Sequence, residues 1–355
     1  MYYKYKDFIS EIKKNASQRN DLVVPLNSIS LGKTESNVYI NGDLFIATDT
    51  FHTHLAQRLD IPMPYYRKML KSSKRLLQLN VNHWLNSFPK NKQVLLRSYV
   101  KSDTKSKSFL SWNSETLIAR GLLSNRYKIM DNNELFYDLQ YIIDDFEVMS
   151  CYHNDEITNV KIKFPKLEGE VKKGDVVTGG LVLRNSELGF SSITATSLIY
   201  RLVCDNGMML PNVASINSKY HIGKPITLSK YSSEEKVNDY ELPEKLTSDI
   251  CDMIIDLQDE VKFKSNLDSL KETTKRKFKN IDYKYLRREF NTSIKEEEQI
   301  KENLEISSDF TQYGLIQAIT ATARELSNVQ RAIHLERLGG RLLNIPQRQW
   351  NVLTS

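Results

Sequence analysis

The sequence predicts an α+β protein: a central twisted, mostly antiparallel sheet with flanking helices, followed by a helical C-terminal region. Three observations carry this. From Gln93 onward apolar residues recur with a period near two, as in half-buried strands. Asn41-Gly42 stands between two apolar runs, a strong two-residue hairpin signal. From about residue 242 to 344 the pattern is almost wholly helical. The chain divides accordingly into an N-terminal α/β portion (1–90), a β-rich core (91–225) and a helical C-terminal region (226–355).

Residues 1–20 form an amphipathic helix with Phe8, Ile9 and Ile12 on one side. Residues 21–25 are a strand stopped by Pro25, and 38–46 a hairpin turning at Asn41-Gly42. Thr48-Asp49-Thr50 can cap a helix over 51–59, which ends before the Ile61-Pro-Met-Pro64 step. A second helix covers 65–79, and a brief third covers 81–88. Residues 95–100 are a strand, 101–107 a basic loop, 108–118 extended and 134–143 helical. Residues 146–152 and 158–164 pair around His153-Asn-Asp155, and 175–184 and 191–202 add two strands, the latter also open to turning into a helix. The C-terminal helices fall at 242–272, 283–303 and 308–344.

With 355 residues, 40% of them hydrophobic and 26% charged, the composition is that of a soluble globular protein. There is no apolar run approaching the roughly 20 residues of a membrane span. The first residues, Met1-Tyr-Tyr-Lys-Tyr-Lys-Asp, lack an apolar signal region, so a cytoplasmic location is expected. Cys151, Cys204 and Cys251 lie far apart and suit neither a disulfide framework nor a zinc knuckle. The net charge of +6 is a mild bias toward polyanions.

Several motifs fail on inspection. Leu31-Gly-Lys-Thr34 resembles the end of a phosphate loop, but position 27, where the first glycine belongs, is Asn. His52 and His54 are two apart, not the four of a helical metal pair, and are read as solvent-facing. No metal or cofactor is expected. Asp144-Asp145 and Asp252/Asp256 lack a basic clamp and are read as solvated. Cys204 precedes Asp205-Asn206-Gly207, where a turn would expose backbone amides. A catalytic thiol needs a base nearby, and a buried structural thiol beneath that turn is the preferred reading.

The strongest physical signal is cations interleaved with aromatics. Residues 262–288 hold ten Lys/Arg against three acids, with Phe278, Tyr283 and Tyr285 among them. Cations contact phosphates and aromatic faces stack bases, which together make a single-strand platform. Its key residues would be Lys275, Arg276, Lys277, Tyr283, Tyr285, Arg287 and Arg288. The other reading of the same stretch makes Phe278, Ile281 and Tyr285 the buried seam of a helix, with the lysines solvated. A second basic patch is Arg67, Lys68, Lys71, Lys74 and Arg75 beside Tyr65 and Tyr66. A third is Lys101, Lys105 and Lys107 leading to Trp112. Residues 120–132 are the densest stretch, basic at both ends of an apolar step, with a Ser124-Asn125 turn and Asp131-Asn132 at the end. Arg120, Arg126 and Arg201, with Lys128, are expected to converge as an anion clamp. The alternative is internal ion pairing with Asp131, Glu134 or Asp205.

Residues 51–62, Tyr65-Tyr66, Asn80-Val-Asn-His-Trp-Leu85, Leu96-Arg97, residues 120–132, Gly180-Leu-Val-Leu-Arg-Asn-Ser186 and Arg201-Leu-Val-Cys-Asp-Asn-Gly207 form a series. In this series the chain resembles the phage- and plasmid-associated proteins grouped as domain of unknown function 932. The resemblance spans about 20–225 and extends weakly through 320–340. It implies a mobile-element origin and a cytoplasmic location, and it brings no catalytic residues. By analogy it favours DNA metabolism. The expectation is therefore a phage-type nucleic-acid-binding protein, acting on single-stranded DNA in recombination or replication, as a homo-oligomer and away from membranes. The competing expectations are a protein-interaction or counter-defence factor and an enzyme with a Cys- or carboxylate-based site.

Overall fold

The computed structural model describes residues 2–34, 36–102, 115–137, 139, 143, 145–202, 206–215, 252 and 254–355. The chain starts with β1 (Tyr2–Tyr3), α1 (Tyr5–Ser17), β2 (Leu22–Pro25), β3 (Ile29–Leu31), β4 (Asn37–Ile40) and β5 (Asp43–Ala47). Three helices come after them, α2 (Asp49–Arg58), α3 (Met63–Ser72) and α4 (Lys74–Ser87), then β6 (Gln93–Ser102), β7 (Glu115–Ser124) and α5 (Asn132–Tyr137). A run of strands comes next: β8 (Glu147–His153), β9 (Thr158–Lys172), β10 (Asp175–Asn185), β11 (Thr194–Arg201) and β12 (Asn206–Ser215). The C-terminal helices are α6 (Glu260–Thr273), α7 (Tyr283–Phe290), α8 (Ile294–Ser307), α9 (Gln312–Glu325), α10 (Val329–Leu343) and α11 (Gln347–Leu353).

The class is α+β with a helical C-terminal region, as the periodicity predicts, but the strands form two sheets of six. One has the order β2-β6-β7-β5-β4-β3 and is antiparallel except where β5 runs parallel to β7. The other, β1-β8-β9-β10-β11-β12, is antiparallel throughout. Strands from the first ninety residues enter both sheets: β2 pairs with β6, β5 with β7 and β1 with β8. The segment 1–90 therefore shares its hydrogen-bonded ladders with strands from beyond residue 90.

In the first sheet, Val38, Ile40, Phe45, Leu96 and Ala119 face one side and pack on Phe51 and Leu55 of α2 and Leu77, Val81 and Leu85 of α4. The hairpin turns at Asn41 (φ 52°) and Gly42 (φ 95°), both left-handed, as an Asn-Gly type I′ turn demands. Thr48 caps α2, accepting from the Phe51 N–H at 3.2 Å. In the second sheet, Val160, Ile162, Leu181 and Leu183 join one large core with Phe8 and Ile12 of α1 and the C-terminal helices.

Boundaries differ from expectation in several places; β7 (Glu115–Ser124) starts and ends later than the expected 108–118, β9 runs on to Lys172, and three differences alter how elements are divided. The helix pair breaks at Ser73 (φ −149°, ψ 48°), so α3 and α4 replace segments ending at 79 and 88. Asn206-Gly207 is the start of β12, facing Arg201 and Tyr200, and not a turn. Left-handed Asn291 (φ 54°) and Ser308 (φ 51°) divide the long helical stretches, each within a few residues of a new N-cap, Ser293 or Thr311. At the edge strand β12, helix α10 lies directly on the backbone. A Cβ on Gly340 would stand 1.8 Å from the Met209 carbonyl oxygen, so only glycine lets the helix cover that edge.

Candidate functional site

Residues 120–132 run from the last part of β7 through a tight turn to α5. The turn closes with the Tyr127 N–H donating to the Ser124 carbonyl at 2.8 Å. The chain then crosses the junction of the two sheets and places Asp131 among buried charges. Arg97, fully buried on β6, donates from Nη2 to Asp131 Oδ1 at 2.5 Å, and its Nε lies 2.9 Å from Asp21 Oδ2. Arg19 reaches the other oxygen of Asp131 at 2.6 Å. Arg120 donates to Glu187 Oε2 at 2.8 Å and lies over the Tyr99 ring, 4.1 Å from its centroid. The second oxygen of Glu187 accepts from the Asn132 N–H at 3.0 Å. Asn185 ties in with donations to the Met130 carbonyl and Asn132 Oδ1, both 3.1 Å.

Burial opposes ionisation of Asp131, but Arg97 and Arg19 outweigh it and hold that carboxyl below its usual range. Burial pushes Asp21 up. Burial, helped by Asp131, pushes Glu134 up to about 7. Such a cluster gains little net stability over an apolar core, yet removing one member strands its partners and costs about 3–5 kcal/mol. Its arginines are committed to carboxylates, which makes this junction a structural clasp.

The expected convergence of Arg120, Arg126 and Arg201 is not what the fold produces. Arg201 forms a two-pronged pair with Asp175 (2.6 and 3.0 Å), at the opposite end of β10 from Asn185. Ten residue steps of strand separate those ends, roughly 30 Å. Tyr313 donates to the same Asp175 at 2.7 Å. Arg126 is exposed on the β7 turn, and Lys128 is half-buried beyond it. The ion-pairing alternative describes Arg120 and Arg201, with Glu187 and Asp175 as the partners.

The 262–288 stretch is also partly committed. Lys262, Lys264, Lys271 and Lys275 pair with Asp256, Glu260, Asp268 and Glu272. Arg287 grips Glu297 with two nitrogens (3.0 and 2.5 Å). Phe278 packs edge-on against Phe310 and Trp350, while Ile281, Tyr283 and Tyr285 rest against the core, with Arg288 over the Tyr285 ring. Arg276, Lys277, Lys279, Lys284 and Arg288 are exposed with no ion pair to a carboxylate among the described residues, Arg276 reaching Gln312 at 3.3 Å. The aromatics pack inward as the buried-seam reading has it, but Phe278 and Ile281 lie between α6 and α7 and share no helix with Tyr285.

The second basic patch has the opposite character. Between Asp60 and Asp103 the sequence contains no Asp or Glu at all. Eight cations of that interval, Arg67, Lys68, Lys71, Lys74, Arg75, Lys90, Lys92 and Lys101, are exposed. Among the described residues no ion pair joins Arg67, Lys68, Lys71, Arg75, Lys90 or Lys92 to a carboxylate. Tyr66 and Leu70 of α3 and Leu77, Val81 and Leu85 of α4 turn inward, and that leaves Tyr65 (56% exposed), Leu76, Leu79 and Trp84 (51%) outside with the cations. Trp84 is held edge-on by His83, centroids 5.5 Å apart. In the third patch Lys101 is the exposed member, and Lys105, Lys107 and Trp112 lie outside the described residues.

The histidines expected in solvent are buried. His52 Nδ1 lies 2.9 Å from the Tyr66 hydroxyl. His54 accepts from the Leu122 N–H at 3.2 Å and stacks on Phe190. Burial, with Arg58 nearby, lowers the His54 pKa to about 4, so the ring is a neutral acceptor in the core. The β7 backbone N–H it satisfies gives no signal in sequence. Cys204, Cys251 and Asp144 lie outside the described residues. Cys151 is buried, and burial pushes its thiol up to about 12, far from a reactive thiolate. Asp145 pairs with Lys166 on the surface, and Asp256 with Lys262. Among the described residues no group of His, Cys, Asp and Glu could hold a metal ion, and no helix is long and apolar enough to cross a membrane.

No curated protein and no solved structure matches the chain. The family described as Domain of unknown function (DUF932) matches residues 119–334, from within β7 to within α10. That span contains Arg120, Asp131, Asn132, Asn185 and Glu187 of the buried junction, while Arg19, Asp21 and Arg97 precede it. It covers more than half of the 355 residues, and the chain belongs to this DUF932 family.

Proposed function

We propose that the protein binds single-stranded nucleic acid along the α3–α4 hairpin, as a component of recombination or replication of phage or plasmid DNA in the cytoplasm. One observation carries the reading: in an acid-free stretch, Arg67, Lys68, Lys71 and Arg75 stand exposed with no carboxylate partner among the described residues, and the same two helices expose a tyrosine and a tryptophan. An exposed cation with no carboxylate nearby is free to neutralise a phosphate, which releases the cation condensed on the nucleic acid there. Exposed Tyr65 and Trp84 supply faces on which bases stack regardless of sequence. Helix α4 is 14 residues long, about 21 Å, enough to follow several nucleotides. Stacking and backbone contact need no metal and no reactive side chain.

The test is fluorescence anisotropy of a labelled oligonucleotide across a salt series. Affinity should fall with a log–log slope of about −0.7 for each phosphate neutralised. Replacing Arg67, Lys68, Lys71 and Arg75 together by Ala should weaken binding to every sequence and flatten that slope. Exposed Leu76 and Leu79 favour a second reading, an acidic protein partner on the same face. It would be indicated if the folded protein ignores oligonucleotides at low salt.

A further inference from the structure

Beside the buried junction a cavity of ≈520 Å3 opens between the two sheets, within the roughly 300–1,000 Å3 usual for small-molecule sites. Its floor belongs to the first sheet, where Ile46, Ile118 and Tyr99 stand side by side on β5, β7 and β6. Their neighbours Phe45 and Ala119 pack on the helices α2 and α4, so these three turn the opposite way. Arg120 lies two residues beyond Ile118 on β7, on the same face. The other wall is built by α1 with Glu11, by β1 with Tyr3, and by the end of β8 and its turn with His153 and Asp155.

Charges of both signs line this space without pairing across it. Arg120 is 3% exposed, and Glu187 Oε2 takes its Nη2 while Glu187 Oε1 is used by the Asn132 N–H. The buried Arg120 Nε is left with no acceptor. Buried donors are nearly always satisfied, so an empty one on a residue that lines a cavity points to a missing acceptor. Among the described residues no ion pair joins Glu11 or Asp155 to a cation, or the exposed Lys101 beyond Tyr99 to an acid. Arg120 and both carboxylates lie close around His153: burial lowers the pKa of that ring, Glu187 opposes this, Arg120 adds to it, and Asp155 and Glu11 oppose it again. Burial raises the pKa of the Tyr3 hydroxyl, and Glu11 and Asp155 raise it further, which places the two carboxylates together around Tyr3.

We propose that this cavity binds a free α-amino acid with a large apolar side chain. The carboxylate meets the Arg120 guanidinium, the ammonium stands at the Glu11 and Asp155 wall, and the side chain lies on Ile46 and Ile118. Each charge contributes to selection. A lone anion gains Arg120 but faces two carboxylates, and a lone cation leaves the buried guanidinium N–H unanswered. The end of a peptide carries only one of the two groups, so the free amino acid is the better fit. None of these residues belongs to α3 or α4, and the proposal does not rest on the role of that surface.

Isothermal titration of the full chain tests it with four probes: phenylalanine, 3-phenylpropanoate, which lacks the amine, 2-phenylethylamine, which lacks the carboxylate, and glycine. Phenylalanine should bind at least tenfold more tightly than each of the other three. Glu11→Gln and Asp155→Asn together, on side chains that are not buried, should erase the preference over 3-phenylpropanoate. Ile46→Asp, at a residue 37% exposed, should weaken phenylalanine at least tenfold by placing a charge on the apolar floor. Circular dichroism of each variant confirms folding. Absence of phenylalanine binding at millimolar concentration overturns the proposal. So does equal affinity for either singly charged analogue, or a preference unchanged in the folded double variant. The α3–α4 quadruple variant should bind phenylalanine as the parent does, whatever happens to its oligonucleotide affinity. Loss of phenylalanine there would place the ligand on the α3–α4 surface and also overturn the proposal.

Discussion

The junction of the two sheets and the α3–α4 hairpin are both rich in arginine and lysine, and their charges have opposite fates. At the junction, Arg19, Arg97 and Arg120 are each matched to a carboxylate within 3 Å. On the hairpin, Arg67, Lys68, Lys71 and Arg75 stand exposed in a 42-residue interval, 61–102, that holds no acid. The lesson is that a basic residue becomes available to a partner through the absence of nearby carboxylates, not through its own density. Region 262–288 has more cations than the hairpin, yet many are neutralised by acids of their own helix or of α8.

The comparison is broken most severely at the junction. Arg97→Met leaves Asp21 and Asp131 buried without their main partner and should cost about 3–5 kcal/mol of stability by denaturant titration. Oligonucleotide affinity of the remaining folded protein should not change. If the variant is as stable as the parent, the junction is no clasp.

On the hairpin the effects should reverse. The Arg67/Lys68/Lys71/Arg75 quadruple alanine variant should keep its stability within about 1 kcal/mol, since exposed charges contribute little. Its affinity for single strands should drop on the order of 100-fold near 0.1 M salt, from the counterions no longer released. Trp84→Ala should lose roughly 1–3 kcal/mol of binding while leaving the salt slope nearly unchanged.

Acidity sharpens the contrast again. Glu134 is held at about 7 by burial and by Asp131, against an ordinary 4.5, with Arg19 and Arg97 facing it as well. The raised value means its stabilising contribution is complete below about 4.5 and is lost as pH rises through 7. Denaturant midpoints should therefore fall between pH 5 and 8 by more in the parent than in Glu134→Gln. The smallest effect should come from Lys275, Arg276 and Lys277 changed together to alanine, with binding within a few-fold of the parent. A large loss there would restore the 262–288 stretch as the platform.

Much of the fold was legible because it is written locally. The Asn41-Gly42 turn, the Thr48 cap and the period-two runs each act within a few residues, and the hairpin around His153 obeys the same rule. The division into two sheets was not, since it depends on β5 pairing parallel with β7 across some seventy residues, from Phe45 to Leu117. Strand β12 was hidden by Asn206-Gly207, which reads as a turn; in the fold Gly207 takes that place because the Leu198 side chain presses within 3.0 Å of where a Cβ would be. The charges were visible as residues but not as partners. Glu187 meets Arg120 from 67 residues away, and Asp131 meets Arg19 from 112. For His52 and His54, nothing local revealed that both turn into the core.

The central claim is that unpaired charge on α3–α4 is the surface offered to nucleic acid. Its most direct measurement is the salt dependence of single-strand binding for the parent and the α3–α4 quadruple variant, side by side. The slope should become shallower in the variant by about 0.7 for each phosphate contact removed, close to 3 in all for four contacts. A folded quadruple variant with the parent's affinity and slope would contradict the claim.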